Sequence, residues 1–137
     1  MSVMVVTGAF ATHTTTIYDY YICPAHWKTD NIKYIAVNYN SELKYIGKIV
    51  ESVFEWSFDE NNQNILFSTE DVPKIVTDDL KNNIENLKGT KHKLFILSPM
   101  VGEGIPLLPL PYTGNGAFVR GHRFFNTLTE MLSAHQI

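Results

Sequence analysis

The strongest constraint on this chain is a block of β-forming residues in its first half. Lys33-Tyr-Ile-Ala-Val-Asn-Tyr39 is rich in aromatic and branched side chains, and so is Leu43-Lys-Tyr-Ile-Gly-Lys-Ile-Val-Glu-Ser-Val-Phe-Glu-Trp56. Only Asn40-Ser-Glu42 separates them. Two such runs around a short polar break read as a β-hairpin. The second run is long and its alternation is blurred: Ile49, Glu51, Val53 and Glu55 interleave with Val50, Ser52, Phe54 and Trp56. Gly47 inside it marks a bulge or bend.

The remaining elements fall around this hairpin. Short β-rich runs at 3–6, 17–23 and 92–98 read as strands, and so does 65–68 after the turn-like 59–64. The threonine-rich stretch after Thr7-Gly8 reads as loop. Val72, Ile75, Val76, Leu80, Ile84 and Leu87 recur at helical spacing and predict one amphipathic helix at about 72–88. Pro73 suits its first turn, acids precede it, and Lys88-Gly89 ends it. Residues 99–116 hold four prolines and four glycines, which predicts a long ordered loop with an extended segment at 105–110. Thr127 and Glu130 have capping-box spacing and open a short C-terminal helix at about 127–135, with Leu128, Met131 and Leu132 as its buried stripe. This order lacks the alternating rhythm of a parallel sheet. It predicts one α+β domain over 1–137, built on a strongly bent antiparallel sheet or small open β-barrel.

Composition narrows the class. The chain has 137 residues, 45% of them hydrophobic and 12% aromatic, enough for one folded core. No apolar run approaches the roughly eighteen residues of a membrane span. The start, MSVMVVTGAFATH, has no basic region of the kind that opens a secretion signal. The lone Cys23 excludes an internal disulfide framework and an all-cysteine zinc site. It fits a reducing, cytoplasmic setting. No pattern in the sequence implies a metal or an organic cofactor; a phosphate-binding P-loop and a dinucleotide fingerprint are both absent.

Charge is unevenly spread. The formal net charge is −3. Residues 51–87 carry nine acids and two lysines, whereas 88–137 carry five cations and two acids. Both arginines of the chain fall in Gly114-Asn-Gly-Ala-Phe-Val-Arg-Gly-His-Arg-Phe-Phe125. A guanidinium grips phosphate with two donors and stacks on bases, which an ammonium does not. Glycines there permit close backbone approach to a ligand, and His122 adds a donor or an acid–base group. Arg120, His122 and Arg123 are therefore the candidate anion site. Trp27, in the polar stretch Cys23-Pro-Ala-His-Trp-Lys-Thr29, is a candidate platform for a stacked base.

Other motifs are incomplete. His13-Thr-Thr15 is one H-x-T element, but the two-histidine phosphodiesterases need a second, and neither His92 nor His122 starts one. His13 is kept as a further ligand-binding candidate. Cys23 and His26 have no second pair to complete a zinc site, and Cys23 reads as the end of a buried strand. Glu42-Leu-Lys44, twelve residues after Asp30, mimics a metal-nuclease arrangement. Tyr34-Ile-Ala-Val-Asn38 with Tyr45-Ile-Gly47 resembles the paired strands of GIY-YIG endonucleases, but Ile32-Lys33-Tyr34 stands for Gly-Ile-Tyr and no arginine follows in 48–119.

A broader resemblance runs through Tyr34-Ile-Ala-Val-Asn-Tyr39, Tyr45-Ile-Gly-Lys-Ile-Val-Glu51, Leu94-Phe-Ile-Leu97 and Arg123-Phe-Phe-Asn-Thr-Leu128. These segments resemble PUA-like domains, the group that includes ASCH, EVE and YTH modules. The resemblance implies a small open barrel with flanking helices and a pocket for an RNA strand or a flipped, often modified base. The expected partner is accordingly a nucleic acid or nucleotide, with no membrane. The alternatives are a small hydrolase or nuclease acting on a phosphodiester, and a module that meets a protein partner or a second copy through its acidic face.

Overall fold

The computed structural model describes residues 1–56, 58–59, 64–65, 72–83, 91–102, 104–111 and 122–135. The chain opens with β1 (Val3–Thr7), which Gly8 ends at a φ of 119°. Helix α1 (Ala9–Tyr18) follows, then β2 (Tyr20–Pro24), β3 (Tyr34–Tyr39) and the long β4 (Glu42–Trp56). The two-residue strands β5 (Phe58–Asp59) and β6 (Asn64–Ile65) pair with each other. Helix α2 (Lys74–Asn82), β7 (His92–Pro99), β8 (Leu110–Pro111), β9 (His122–Phe125) and α3 (Leu128–His135) complete the chain.

The main sheet runs β2-β7-β4-β3-β1-β9, with β8 paired to the start of β4. It is a strongly curled, open half-barrel with three short helices, so the α+β bent-sheet expectation holds. The β3–β4 hairpin is antiparallel as expected. One pairing departs from an all-antiparallel sheet: β1 lies parallel to β3, matching Val3 to Tyr34 and Thr7 to Asn38.

The blurred alternation of β4 has a structural cause. Val37 faces Tyr45 and Asn38 faces Leu43, so Lys44 is an extra residue. Ile49 faces Leu97 and Glu51 faces Ile96, so Val50 is another. Between Val53 and Trp56 the pairing slips again. Each slip is a bulge, which bends the strand and tightens its twist. The first one also turns Tyr45 and Leu43 to opposite faces, although they stand two apart. Gly47 is not an extra residue. It makes room for the Tyr45 ring, which would lie 2.5 Å from any Cβ placed there.

Burial separates the two faces. Inside the curl one continuous cluster joins Met4, Val6, Ile35, Val37, Phe95 and Leu97 to Ala11 of α1. Outside, two clusters form: α3 covers Val3, Val5, Ala36, Leu43 and Ile46 with Met131, and α2 covers Tyr20, Ile22 and Leu94 with Val76 and Leu80. The prolines and leucines of the loop after β7 add Met100, Ile105, Leu108 and Leu110 to the α3 side. The capping box forms as expected: Thr127 Oγ1 accepts from the Glu130 amide, and Glu130 accepts from the Asn126 amide.

Helix α1 is the main departure from the sequence reading, which placed a loop at its start and a strand from residue 17. Threonine is a weak helix former because its hydroxyl competes for backbone groups. Here that competition is settled inside the helix. Thr12 Oγ1 donates to Gly8 O, Thr15 Oγ1 to Ala11 O, and Thr16 Oγ1 to Thr12 O. The buried Thr14 hydroxyl likewise donates to Ala11 O at 3.3 Å, so both buried hydroxyls are satisfied, and Ala11, Thr14 and Thr15 form the buried face. Asp19 ends the helix in the left-handed region at φ 53°. The α2 expectation is met over Lys74–Asn82, with Ile75 exposed instead of buried. Residues 84–88 of that expected helix, 66–68 of the expected strand and 112–116 of the expected loop lie outside the described residues.

Three tyrosines deepen the core. Burial, then the hydrogen bond to Asp79, holds the Tyr20 phenol well above its ordinary pKa of 10.0. Burial raises Tyr21 and Tyr45 in the same direction, with the Asp19 carboxylate adding to the effect on Tyr45. A phenol whose folded pKa is raised stays protonated in the fold after the unfolded chain has ionised. Stability is therefore flat at neutral pH and falls above about pH 10, by up to about 1.4 kcal/mol per pH unit for each such tyrosine. Urea melts between pH 8 and 11 should show this slope, and Tyr21→Phe should make it shallower. A slope that begins near neutral pH would contradict the assignment.

Candidate functional site

The inner face of the half-barrel is not sealed by hydrogen bonds along its whole circumference. Among the described residues β2 ends the sheet path on one side and β9 on the other. Beside the β2 end lies a pocket of about 370 Å3. One wall is the β1–α1 turn, Thr7 to Ala11, with Thr14. The other is β2 from Tyr21 to Pro24, with Trp27 and His92.

Trp27 is placed by the turn that leaves β2. Its amide donates to Pro24 O at 3.2 Å, and Ala25 N donates to Lys91 O at 2.9 Å. The buried Lys93 ammonium donates to Trp27 O. The indole then stacks on His122 of β9 with ring centroids 4.1 Å apart and planes 36° apart. Phe124 meets the other side of His122 edge-on at 5.3 Å. Among the described residues the loop after β2 and the strand β9 therefore meet through aromatic rings and not through a backbone ladder. This brings two sequence-selected residues, Trp27 and His122, into one place.

Arg123 goes elsewhere. In β9 Val6 faces His122 and Val5 faces Arg123, and Val6 belongs to the inner cluster while Val5 belongs to the outer one. Successive strand residues point to opposite faces. The guanidinium lies over the Phe125 ring at 4.8 Å, on the α3 side. The sequence reading had treated this stretch as a turn whose side chains converge; residues 122–125 are a strand, and His122 and Arg123 diverge. Arg120 lies outside the described residues.

His13 also serves another purpose. Its Nε2 is 2.8 Å from Asp79 Oδ1, tying α1 to α2. The same buried carboxylate accepts from the Tyr20 hydroxyl at 2.6 Å and from Asn83 Nδ2. Asp79 was missed in the sequence because it is charged. Its position three after Val76 nevertheless places it on the buried face of α2.

Gly8 offers no side-chain cap, so the first amides of α1 face the turn without a side-chain acceptor. Burial pushes the Cys23 thiol up to about 12, against a smaller opposing pull from Lys93. It therefore stays protonated at neutral pH and is a poor nucleophile or metal ligand. Glu42 and Lys44 pair with each other at 2.6 Å. Among the described residues no group of three or more His, Cys, Asp or Glu is placed to hold a metal ion, and no helix is long and apolar enough to cross a membrane. The fold and site thus define an α+β half-barrel with a pocket between its β1–α1 turn and β2. The chain matches no family model, no curated protein and no solved structure.

The Asp79 knot gives a direct test. Asp79→Ala leaves the fully buried Tyr20 hydroxyl without its acceptor and should cost about 1–3 kcal/mol in urea unfolding. Adding Tyr20→Phe should recover much of that loss, because the orphaned hydroxyl is gone. Equal stability of wild type and Asp79→Ala would show that the knot is not structural.

Proposed function

We propose that the protein binds a nucleotide, free or as one unit of a nucleic-acid strand, in the pocket between its β1–α1 turn and β2. The base stacks on Trp27 and the phosphate lies toward the uncapped first turn of α1. The observation that carries this reading is the Trp27–His122 pair beside a pocket whose far wall is a glycine-led helix start. An aromatic platform holds any base by its π-face, and free helix amides accept an anion. A volume of about 370 Å3 suits a small molecule, since such sites run from about 300 to 1,000 Å3. Thr7, Thr14 and His92 are polar points within otherwise apolar walls, the composition such pockets use for orientation.

The PUA-like resemblance belongs to the same proposal. Three of the segments that carry it are β3, β4 and β7, which form the middle of the curled sheet. Cys23 plays no nucleophilic part in this reading, because burial holds its thiol protonated. His122 serves as the ring that backs Trp27.

Isothermal titration with 5′-nucleotides and short oligonucleotides tests the proposal. Trp27→Ala should weaken binding roughly 5- to 150-fold, the equivalent of about 1–3 kcal/mol for one stacked base, and Trp27→Phe should retain most of it. Arg123→Ala should leave affinity unchanged within error, because its side chain lies on the outer face. Binding by neither nucleotides nor oligonucleotides would overturn the proposal. Loss on Arg123→Ala without loss on Trp27→Ala would move the site to the outer face.

A further inference from the structure

Trp27, which walls the pocket, is linked through the His122 ring to Phe124, which walls a second hollow. Trp27 lines the first cavity, His122 lies on Trp27 and Phe124 lies on His122. Phe124 then lines a separate hollow of about 280 Å3 with Met1, Lys28, Asp30 and Ile32. The three rings are a continuous ridge with a cavity at each end. The loop after β2 contributes to both cavities, through Trp27 to the first and through Lys28, Asp30 and Ile32 to the second, and β9 lines the second with Phe124 and meets the first through the contact of His122 with Trp27.

We propose that this ridge divides one groove into two compartments, so that the preferred ligand is a single-stranded oligonucleotide of at least two units, not a free mononucleotide. The proposal rests on the nucleotide reading above and adds a second base site to it. The second hollow has the chemistry a base needs. Phe124 and Ile32 supply apolar walls, and Asp30 supplies an acceptor for an exocyclic amine. Lys28 supplies a cation for the phosphate that joins the two units. It follows Trp27 directly in the chain, so the charge stands beside the platform of the first base. A mononucleotide would fill one compartment and leave the ridge, the second hollow and Lys28 unused.

The test uses the full chain with adenylate and cytidylate mononucleotides, the matching dinucleotides and tetranucleotides, in ribo and deoxy series. Binding is read by titration calorimetry at two salt concentrations. Dinucleotides should bind roughly 5- to 150-fold tighter than mononucleotides, the value of one further stacked base. Lys28→Ala and Phe124→Leu should each shrink that ratio, and Lys28→Ala should also flatten the salt dependence by about one phosphate contact. Lys28 is exposed, so this variant does not depend on refolding the core. Equal affinity for mono- and dinucleotides would overturn the two-compartment proposal and leave the nucleotide reading standing. A dinucleotide preference untouched by both variants would overturn the placement of the second base. No binding in any series would remove the nucleotide reading and this proposal together. A difference between the ribo and deoxy series would identify which strand is the natural source.

Discussion

Strand β4 cannot run straight, because it carries extra residues against its neighbours at Lys44, at Val50 and again between Val53 and Trp56. Every other feature follows from that. A bulge leaves one residue unpaired and bends its strand, and several bulges along one central strand curl the sheet around them. Curling carries the two ends of the sheet path toward each other. It also encloses a single inner cluster while the outer face divides into two patches, one for α2 and one for α3. The Tyr45 ring, laid over Gly47 and bonded to Asp19, fixes the inner surface at the tightest part of the strand.

A half-barrel that does not close by hydrogen bonds must bridge its gap in some other way, because unpaired strand edges are a liability. Helix α1 does part of this, running directly from β1 to β2 and burying Ala11 in the inner cluster. The Trp27–His122 stack does the rest. Backbone pairing would have left no room between the edges. Side-chain bridging leaves the pocket, and the groups that make the bridge are aromatic. The pocket is therefore a by-product of how the fold closes, and Trp27, one of its walls, also bridges to β9 through His122. Lys93 fits this view. A buried ammonium is costly unless it is bonded, and its acceptor is the carbonyl of Trp27 itself.

The local elements were legible in the sequence wherever one period dominated. The β3–β4 hairpin, β7, the start of α2 and the α3 capping box all follow from alternation, helical spacing or a cap pair. Helix α1 was not legible, because Thr14-Thr-Thr-Ile17 favours strand by propensity and only internal hydroxyl bonds and packing make it helical. The β1–β3 parallel pair was hidden because it joins residues far apart in the chain. Trp27 and His122 were each legible as candidates, but their contact depends on the curl, which no local pattern encodes. The two arginines drew attention by composition, whereas the direction of Arg123 depends on the register of β9 against β1. His13 looked like chemistry and is part of a structural knot around Asp79.

The net charge of −3 would oppose an anionic ligand only if the acids faced it, and five of the fourteen have partners elsewhere in the fold. Asp79 is taken up by His13, Tyr20 and Asn83. Asp19 holds Tyr45, Asp78 pairs with Lys74, Glu42 pairs with Lys44, and Glu130 caps α3. The segments that carry the groove hold a different balance: Lys28 and Lys33 leave β2 toward β3, Lys91 precedes β7, and Asp30 is the acid among them. All three of these lysines are exposed. A field is set by where charges stand more than by their sum, and a cleft with apolar walls concentrates it. An acidic protein can thus present a locally cationic surface, because several of its carboxylates are taken up by partners within the fold.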